Sequence, residues 1–496
     1  MNKLIIPIII VVAIIVVGIG GFLVLQKPGF PEPQKEKTTS PFYEAEKQKE
    51  IKTSQDSPFG FLGQYVNNSR TKPIYAAYGG FSAIQSIYRD LNVHWDRGAT
   101  KSGGAIWGAI EKNIDGYANG FKTHVDTANK NNINLLITIE PGYSESERGE
   151  KLPSNLIGYA DFVRKLVKDY SSVKYWQIHN EVNGGVFWKD TPKNYAKLVQ
   201  TTSDAIRKSC SDCTIVLGSS INIDVKGKAK SIIPYFEPVL KELNKSGKKY
   251  FDVFDYHFFP LSGYAPKSHY QALDDGIDSV KNLLNKYGYG EAEIWITETM
   301  IFTTDGMSKR EIQKLPEKYR IITEKQQALS LFKTYVSALS KGVKKIFWNK
   351  LTEGPWFDFM FDRAGLIRHP NFSGSAEKKL SYYTYKKMTE ILEGSDWDNI
   401  QIIQESDGVY IYKFNKSGKN IWVAWNDNKE SKKIWITLNK DTKYIKITET
   451  VPKYESGKEV IDYNTAFKEI RGDMAESYPM KVGFELKDVP VFVEEK

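Results

Sequence analysis

Between Phe59 and Leu392 the sequence alternates short apolar runs with longer amphipathic segments, and this alternation constrains the fold more than any other feature. Short apolar runs bounded by turn residues are typical of buried strands, and the segments between them repeat apolar residues at helical spacing. The predicted strands are Gly60–Tyr65, Val93–Arg97, Asn134–Ile139, Val173–His179, Thr214–Gly218, Val253–His257, Glu293–Thr297 and Lys345–Asn349. Strands alternating with helices indicate a parallel sheet wrapped by helices, and eight of them predict an α/β fold of the (β/α)8 TIM-barrel type.

The periodicity changes to two after Trp397. Runs such as Val409–Phe414, Asn420–Trp425 and Lys433–Leu438 alternate along the chain and are separated by turn residues. This pattern is typical of an antiparallel β-sandwich. We therefore predict a barrel domain over residues 58–394 and a smaller C-terminal β-sandwich over residues 395–496. The sandwich could bind sugar through an exposed aromatic face, or it could serve only as an accessory domain packed on the barrel.

The N-terminal segment predicts a membrane anchor. Residues Leu4–Leu25 form an apolar run without a charged side chain, which is long enough to span a bilayer as a helix. We expect a transmembrane signal anchor over residues 1–26 and a flexible linker over residues 27–57, because the linker is rich in Pro, Lys, Glu, Ser and Thr. The expected location is the cell membrane, single-pass, with the barrel outside the cell. Secretion after cleavage of an export signal is the alternative.

Charge and cysteine usage exclude some classes of function. The net charge of +9 comes mainly from scattered Lys, so no nucleic-acid partner is expected. Cys210 and Cys213 supply half of a zinc site, and nothing nearby in the sequence completes it. In an oxidising compartment they could instead close a small surface disulfide. Neither a metal nor an organic cofactor is implied.

The carboxyl ends of barrel strands carry the candidate functional residues. In a (β/α)8 barrel the working side chains come from these strand ends. The catalytic candidates are Glu181 and Glu298. The substrate-binding candidates are Arg97, Glu140, His179, Asn180, His257, Trp348 and, on a later loop, Trp356. Oligosaccharide or polysaccharide is the expected substrate.

Glu181 and Glu298 follow predicted strands four and seven, so they are expected on opposed walls of one pocket. Such a pair cleaves a glycosidic bond when one carboxyl protonates the leaving oxygen and the other attacks the anomeric carbon. Asn180 could hydrogen-bond a sugar hydroxyl, and Arg97 could keep Glu298 ionised. His257 could orient Glu298 or contact sugar, or it could be a core histidine. Glu140 is more simply a residue of the pocket wall, and Trp348 is either a platform under the sugar or a core residue.

Asn180-Glu181 after strand four and Ile296-Thr297-Glu298 on strand seven resemble the retaining glycoside hydrolases of clan A. Arg97, His257 and Trp348 stand where that clan has matching residues, and the trailing sandwich is similar to that of the β-xylosidase and α-L-iduronidase type, family 39. The resemblance covers roughly Phe59 to Leu392. Where many members have Trp-Asn-Glu-Pro, this chain has His179-Asn180-Glu181-Val182.

The resemblance implies that Glu181 is the acid/base and Glu298 the nucleophile of a double displacement on O-glycosidic bonds of a surface or extracellular glycan. Two alternatives remain open. A glycan-remodelling transglycosylase would share the covalent intermediate, and a catalytically inactive barrel would be a sugar-binding surface protein.

Overall fold

The computed structural model of the protein describes residues 56–66, 71–100, 102–142, 151–221, 232–259, 266–305, 307–315, 317, 321–355, 360–440, 442–475 and 479–495. The predicted membrane span and all but the last two residues of the predicted linker lie outside these ranges. Among the residues that the model describes, none of the helices combines the length and the apolar composition needed to cross a bilayer.

Eight parallel strands close into a barrel in the described part of the chain. They are β1 (Phe59–Leu62), β2 (Trp95–Gly98), β3 (Asn134–Glu140), β4 (Tyr175–Ile178), β5 (Thr214–Ile221), β6 (Val253–His257), β7 (Glu293–Thr299) and β8 (Val343–Trp348). Each strand pairs in parallel with the next, and β8 pairs with β1 to complete the ring. The predicted barrel is confirmed, with strand bounds that differ from the predicted ones by a few residues at either end.

Helices surround the ring and bury their apolar stripes against it. Their bounds are Thr71–Ala76, Phe81–Asp90, Trp107–Glu111, Tyr117–Lys130, Leu156–Asp169, Pro192–Ser209, Ile232–Asn244, Pro266–Lys286, Lys309–Lys314, Glu324–Ser340, Pro370–Ser373 and Leu380–Leu392. Short strands Ala105–Ile106, Ile367–Arg368 and Glu377–Lys378 lie in the connections. Cys210 and Cys213 form a disulfide that closes the turn before β5.

Alternation along each strand sorts side chains between the barrel axis and the helix layer. The axis is filled at the amino end of the strands by an apolar plug that includes Trp95, Trp295 and Phe347. Gly60 faces the same plug, and a Cβ there would lie 2.6 Å from the Phe347 ring. Glycine therefore lets β1 approach the plug closely. This end of the axis is filled, and in such a barrel the working end is the one at the carboxyl ends of the strands.

The C-terminal part consists of two antiparallel sheets. Their strands are β9 (Gln401–Ser406), β10 (Val409–Lys416), β11 (Lys419–Asn426), β12 (Lys432–Thr437), β13 (Ile445–Glu449), β14 (Glu469–Ile470), β15 (Asp473–Ala475), β16 (Lys481–Leu486) and β17 (Val491–Glu495). One sheet has the order β9-β10-β11-β17-β13-β14 and the other β12-β16-β15. Apolar residues such as Ile411, Ile434 and Phe484 fill the space between them. The predicted sandwich is confirmed.

The six-stranded sheet also packs on the barrel through its other face. The Phe492 ring of β17 meets Phe332 of helix Glu324–Ser340 edge to face at 5.3 Å, and Lys333 Nζ of the same helix lies 2.7 Å from Asp427 Oδ1 in a buried ion pair. This sheet thus contacts the three-stranded sheet through one face and the barrel through the other. The three-stranded sheet forms the outer layer of the sandwich.

Candidate active site

A tight turn after β4 presents Glu181 at the carboxyl end of the barrel. His179 and Glu181 both adopt positive φ, at 74° and 42°, a left-handed conformation that costs a non-glycine residue on the order of 1 kcal/mol or more. Two contacts from β5 hold the turn: the Glu181 backbone N–H donates to Ser219 Oγ at 2.7 Å, and the Val182 N–H donates to the Ser219 carbonyl at 3.1 Å. The strained turn lifts the Glu181 side chain into the pocket.

A β-bulge turns Glu298 to the same side. The pairing of β7 with β8 passes from Ile296 to Thr299 while the partner strand advances only from Ile346 to Trp348. One extra residue therefore sits on β7, and a bulge re-aims side chains at such a point. Thr297 and Glu298 both project toward the barrel axis, where their side chains meet Asp255 and Arg97 respectively.

The two carboxylates face each other across a short gap. A carboxylate oxygen of Glu181, one of Glu298 and a ring nitrogen of His257 all lie within 4.8 Å of one another. The side chains of Glu181 and Glu298 are 13% and 12% exposed, so both are accessible to a ligand only from the pocket.

Neutral and cationic donors contact the Glu298 carboxylate. Asn349, the residue after β8, donates from Nδ2 to Oε1 at 2.8 Å, and the Arg97 guanidinium lies 3.5 Å from Oε2. Burial raises the pKa of Glu298 above its ordinary range; the charges of His257 and Arg97 and the Asn349 hydrogen bond oppose this rise, and the neighbouring Glu181 adds to it. These partners favour the ionised form, but burial outweighs them, so the pKa of Glu298 stays above its ordinary value.

His257 links the two carboxylates as an imidazolium. Its Nδ1 lies 3.0 Å from Glu181 Oε1 and 3.7 Å from Glu298 Oε2, and its Nε2 lies 3.4 Å from Asp255 Oδ2. Burial lowers the pKa of this ring, but the charge and hydrogen bond of Asp255 and the hydrogen bond to Glu181 raise it to about 9. The Asp255 carboxyl is buried too, yet the His257 charge brings its pKa below the ordinary value.

A layer of buried polar side chains supports the site from below. Arg97 Nε donates to Gln177 Oε1 at 2.9 Å, and the Thr138 hydroxyl donates to the same oxygen at 2.7 Å. Arg97 also donates through Nη2 to Asn180 Oδ1 at 2.6 Å, and the Ser219 hydroxyl donates to that oxygen at 3.2 Å. Because Oδ1 is occupied twice, the amide nitrogen of Asn180 is the group left for a ligand, and it has no partner among the described residues.

Two predicted sugar-binding residues, Trp348 and His179, lie outside the pocket lining. Trp348 is 1% exposed and donates from Nε1 to the Ala364 carbonyl at 3.2 Å. Phe347 points to the barrel axis, so alternation turns Trp348 outward into the helix layer, and its prediction as a platform is corrected to a core residue. His179 is buried edge-on against Trp188 at 5.3 Å, and its Nδ1 accepts from the Asn180 backbone N–H at 2.8 Å, which makes it part of the turn. Trp356 lies outside the described residues.

Glu140 ends β3 on the pocket side of the strand and is almost completely buried. Burial raises its pKa to about 7, opposed by the backbone N–H of Thr100 and the charge of Arg97. Its Oε1 has no hydrogen-bond partner within the described part of the chain. It therefore lies in the wall of the site, where its oxygen is covered.

Asn349 and Asp255 contribute to the site but were not predicted from the sequence. Asn349 is the last residue of the predicted strand Lys345–Asn349 and directly follows the observed β8, so the rule that selected the other candidates would have found it. Asp255 lies two residues before the candidate His257 and shares its face of β6, so period-two alternation was the available signal.

The cluster of Glu181, His257 and Glu298 is also the set whose ligand atoms are close enough to hold a cation. A metal ligand must be deprotonated, and a His257 ring with a pKa of about 9 is protonated at neutral pH. A protonated ring acts as a hydrogen-bond donor between the two carboxylates. Cys210 and Cys213 are joined to each other and do not offer free thiolates.

Comparison with known proteins agrees with this arrangement. The family model described as glycosyl hydrolase family 53 matches residues 141–411, just over half of the 496-residue chain and a range that includes both carboxylates. No curated protein matches the sequence.

Solved structures of glycosidases share the fold. A family 39 glycoside hydrolase from Bacteroides cellulosilyticus WH2 is 16% identical with a TM-score of 0.59, over 88% of this chain and 81% of the other. A family 51 α-L-arabinofuranosidase from Bifidobacterium longum is 13% identical with a TM-score of 0.56, over 88% and 95%. A family 39 β-xylosidase from Caulobacter crescentus is 12% identical with a TM-score of 0.53, over 90% and 98%. The predicted resemblance to the TIM-barrel glycosidases of clan A is confirmed.

The fold, the facing carboxylates at the carboxyl ends of β4 and β7, and the matched family model lead to one assignment. The chain is a glycoside hydrolase, and it belongs to glycosyl hydrolase family 53.

Proposed function

We propose that this enzyme is a retaining glycoside hydrolase in which Glu181 is the acid/base and Glu298 the nucleophile. The observation that carries the proposal is that one carboxylate oxygen of Glu181 lies within 4.8 Å of one carboxylate oxygen of Glu298. Retaining enzymes place the two carboxyl groups about 5 to 5.5 Å apart, whereas inverting enzymes need about 6.5 to 9.5 Å to admit a water between sugar and base.

The hydrogen-bond partners support this division of roles. Asn349 and Arg97 both contact the Glu298 carboxylate, and they favour its ionised form, which is the form that attacks carbon. Glu181 contacts neither of these donors among the described hydrogen bonds and ion pairs; its carboxylate partner is His257. His257 therefore fixes the direction in which Glu181 faces the scissile oxygen.

In the first step Glu181 gives its proton to the glycosidic oxygen while a Glu298 oxygen bonds to the anomeric carbon, so the aglycone leaves as an alcohol and the sugar is held as an ester of Glu298. In the second step Glu181 takes a proton from water, and the resulting hydroxide replaces Glu298 at the same carbon. The Asn180 amide is placed to donate to a sugar hydroxyl beside Glu181, where a hydrogen bond would strengthen as charge develops.

The substrate is an extracellular or surface poly- or oligosaccharide. The neighbours described as α-L-arabinofuranosidase and β-xylosidase make arabinosides and xylosides the first candidates, with glucosides and galactosides as the comparison set. The apolar segment Leu4–Leu25 would hold the chain in the cell membrane with residues 58–394 as the catalytic domain outside, joined by the linker of residues 27–57.

The test is a screen of nitrophenyl glycosides and soluble polysaccharides, followed by proton NMR of the first product formed from a cleaved substrate. Double displacement predicts that the anomer of the substrate is retained before mutarotation. An inverted first product would contradict the roles assigned to the two carboxylates. Running the reaction with and without a sugar acceptor separates hydrolysis from transglycosylation, because only the transferase yields longer products at low acceptor concentration.

A further inference from the structure

The outer face of the sandwich carries one exposed tryptophan on a bare patch of backbone. In β12 the residues alternate, with Ile434 and Ile436 buried toward the six-stranded sheet and Lys433, Trp435 and Thr437 directed outward. Trp435 is 48% exposed, whereas Trp422 and Trp425 of the same sandwich are buried.

Glycine across the strand pair lets this indole lie flat. Trp435 is opposite Gly483 of β16, and a Cβ on Gly483 would come 2.8 Å from the indole six-membered ring. Any other residue at 483 would push the ring off the sheet. With one face resting on the backbone and about half of its surface open, the ring offers its second face as a platform, over which the Lys433 ammonium lies.

Hydrogen-bonding side chains surround the platform. Lys433 Nζ lies 5.3 Å from the centre of the Trp435 ring and 2.9 Å from Asp473 Oδ2 of the neighbouring strand β15. The strand register places Glu485 opposite Lys433, and Lys481 opposite Thr437, on the same face. An aromatic face edged by ammonium, carboxylate and hydroxyl groups matches a sugar, which has an apolar face of C–H groups and a rim of hydroxyls.

We propose that the face formed by Lys433, Trp435, Thr437, Asp473, Lys481 and Glu485 is a second glycan-binding site, separate from the catalytic pocket, that holds a neutral polysaccharide by stacking one sugar on Trp435. The occupant follows from the proposed substrate class of the enzyme, on which this inference rests. A second copy of the chain fits poorly, because a stable protein interface needs about 800 Å² on each partner, and a single indole edged by charges supplies far less apolar area.

The opposing explanation is that Trp435 only shields the Gly483 backbone. Trp435→Leu separates the two, because leucine still covers the glycine but has no flat aromatic face. Tyr444→Leu is the matched control: Tyr444 is 72% exposed and precedes β13 of the other sheet.

The experiment is affinity electrophoresis of the full chain in mild detergent through gels containing arabinoxylan, mixed-linkage β-glucan or galactan. At least one polysaccharide is expected to retard the wild-type chain and Tyr444→Leu, and Trp435→Leu should bind about fivefold to tenfold more weakly, the scale of one lost stacking contact. Hydrolysis of nitrophenyl glycosides and the melting temperature should be the same for all three chains.

Equal retardation of Trp435→Leu and the wild type would overturn the proposal, and so would loss of retardation in both variants or the lack of retardation of the wild type in every gel. An unchanged melting temperature together with unchanged retardation of Trp435→Leu would assign the indole to shielding of the backbone alone, because leucine still covers the glycine. The outcome is distinguishable from failure of the proposed mechanism, since a chain that binds through Trp435 but yields inverted product would leave this inference intact.

Discussion

Asp255→Asn tests whether the charge beneath His257 makes that ring an imidazolium, because asparagine keeps the shape of aspartate and removes its charge. Burial lowers the pKa of His257, but Asp255 and the hydrogen bond to Glu181 raise it from 6.5 to about 9. A shift of this size in a fully buried ring corresponds to about 3 kcal/mol of folding free energy, at about 1.4 kcal/mol per unit.

The sign follows from the direction of the shift. Since the pKa of His257 is higher in the folded chain, the stabilisation is fully present below pH 6.5 and is lost as the pH rises through 9. In Asp255→Asn the largest contribution that raises the pKa of His257 is gone while burial remains. The loss of folding stability between pH 6.5 and 9 should therefore disappear or change sign.

The assay is denaturant unfolding of both chains at pH 6.5 and pH 9.5. The wild type should lose about 3 kcal/mol more unfolding free energy across this interval than the variant, and groups that titrate equally in both chains cancel. Asp252→Asn serves as the control, because Asp252 pairs with Arg207 at 2.6 Å and arginine does not titrate in this range. Equal pH dependence in the wild type and Asp255→Asn would refute the assigned charge state.

Four further outcomes are expected. Glu298→Gln should lose about 1,000-fold or more in turnover, about 4 kcal/mol in the barrier, while still binding glycan; retained turnover would rule out its role as nucleophile. Glu181→Gln should impair substrates with poor leaving groups far more than activated aryl glycosides, and equal losses on both would count against the acid role. Because burial raises the pKa of Glu298 and the attack needs its ionised form, kcat/KM should fall on the acid side at a pH above the ordinary glutamate value of about 4.3; an acid limb at or below that value would contradict the argument. A chain that begins at Asp56 should be soluble and active, since it keeps the hydrogen bond from Ser57 to Glu393 and omits the predicted anchor, and persistent insolubility would speak against the anchor.

The barrel could be predicted because its signal is local. Apolar strands such as Ile294–Thr297, separated by amphipathic helices, indicate a parallel sheet that is buried on both faces. The residues at the ends of these strands are then the candidates for the site, and they include Glu181, Glu298, Arg97 and His257. The structure brings these four side chains together.

What the sequence could not predict depends on register and backbone conformation. No particular residue type marks the extra residue on β7 that turns Glu298 inward. The positive φ angles of His179 and Glu181 occur at residues other than glycine, so the sequence does not reveal them. The sequence left Trp348 as either a platform or a core residue, and the structure shows the core residue. The position of a residue at a strand end does not reveal which face of the sheet its side chain is on. A shift of one residue in register moves a side chain from the pocket to the core, or the reverse.

The measurement that bears most directly on the central claim is mass spectrometry of the enzyme after reaction with an activated 2-deoxy-2-fluoro glycoside matched to a substrate that it cleaves. Fluorine at carbon 2 slows hydrolysis of the glycosyl-enzyme, so the sugar should remain bound as an ester. One fluoroglycosyl group per chain is expected, carried by the peptide that contains Glu298. A label on the peptide that contains Glu181, or inactivation with the label elsewhere, would contradict it.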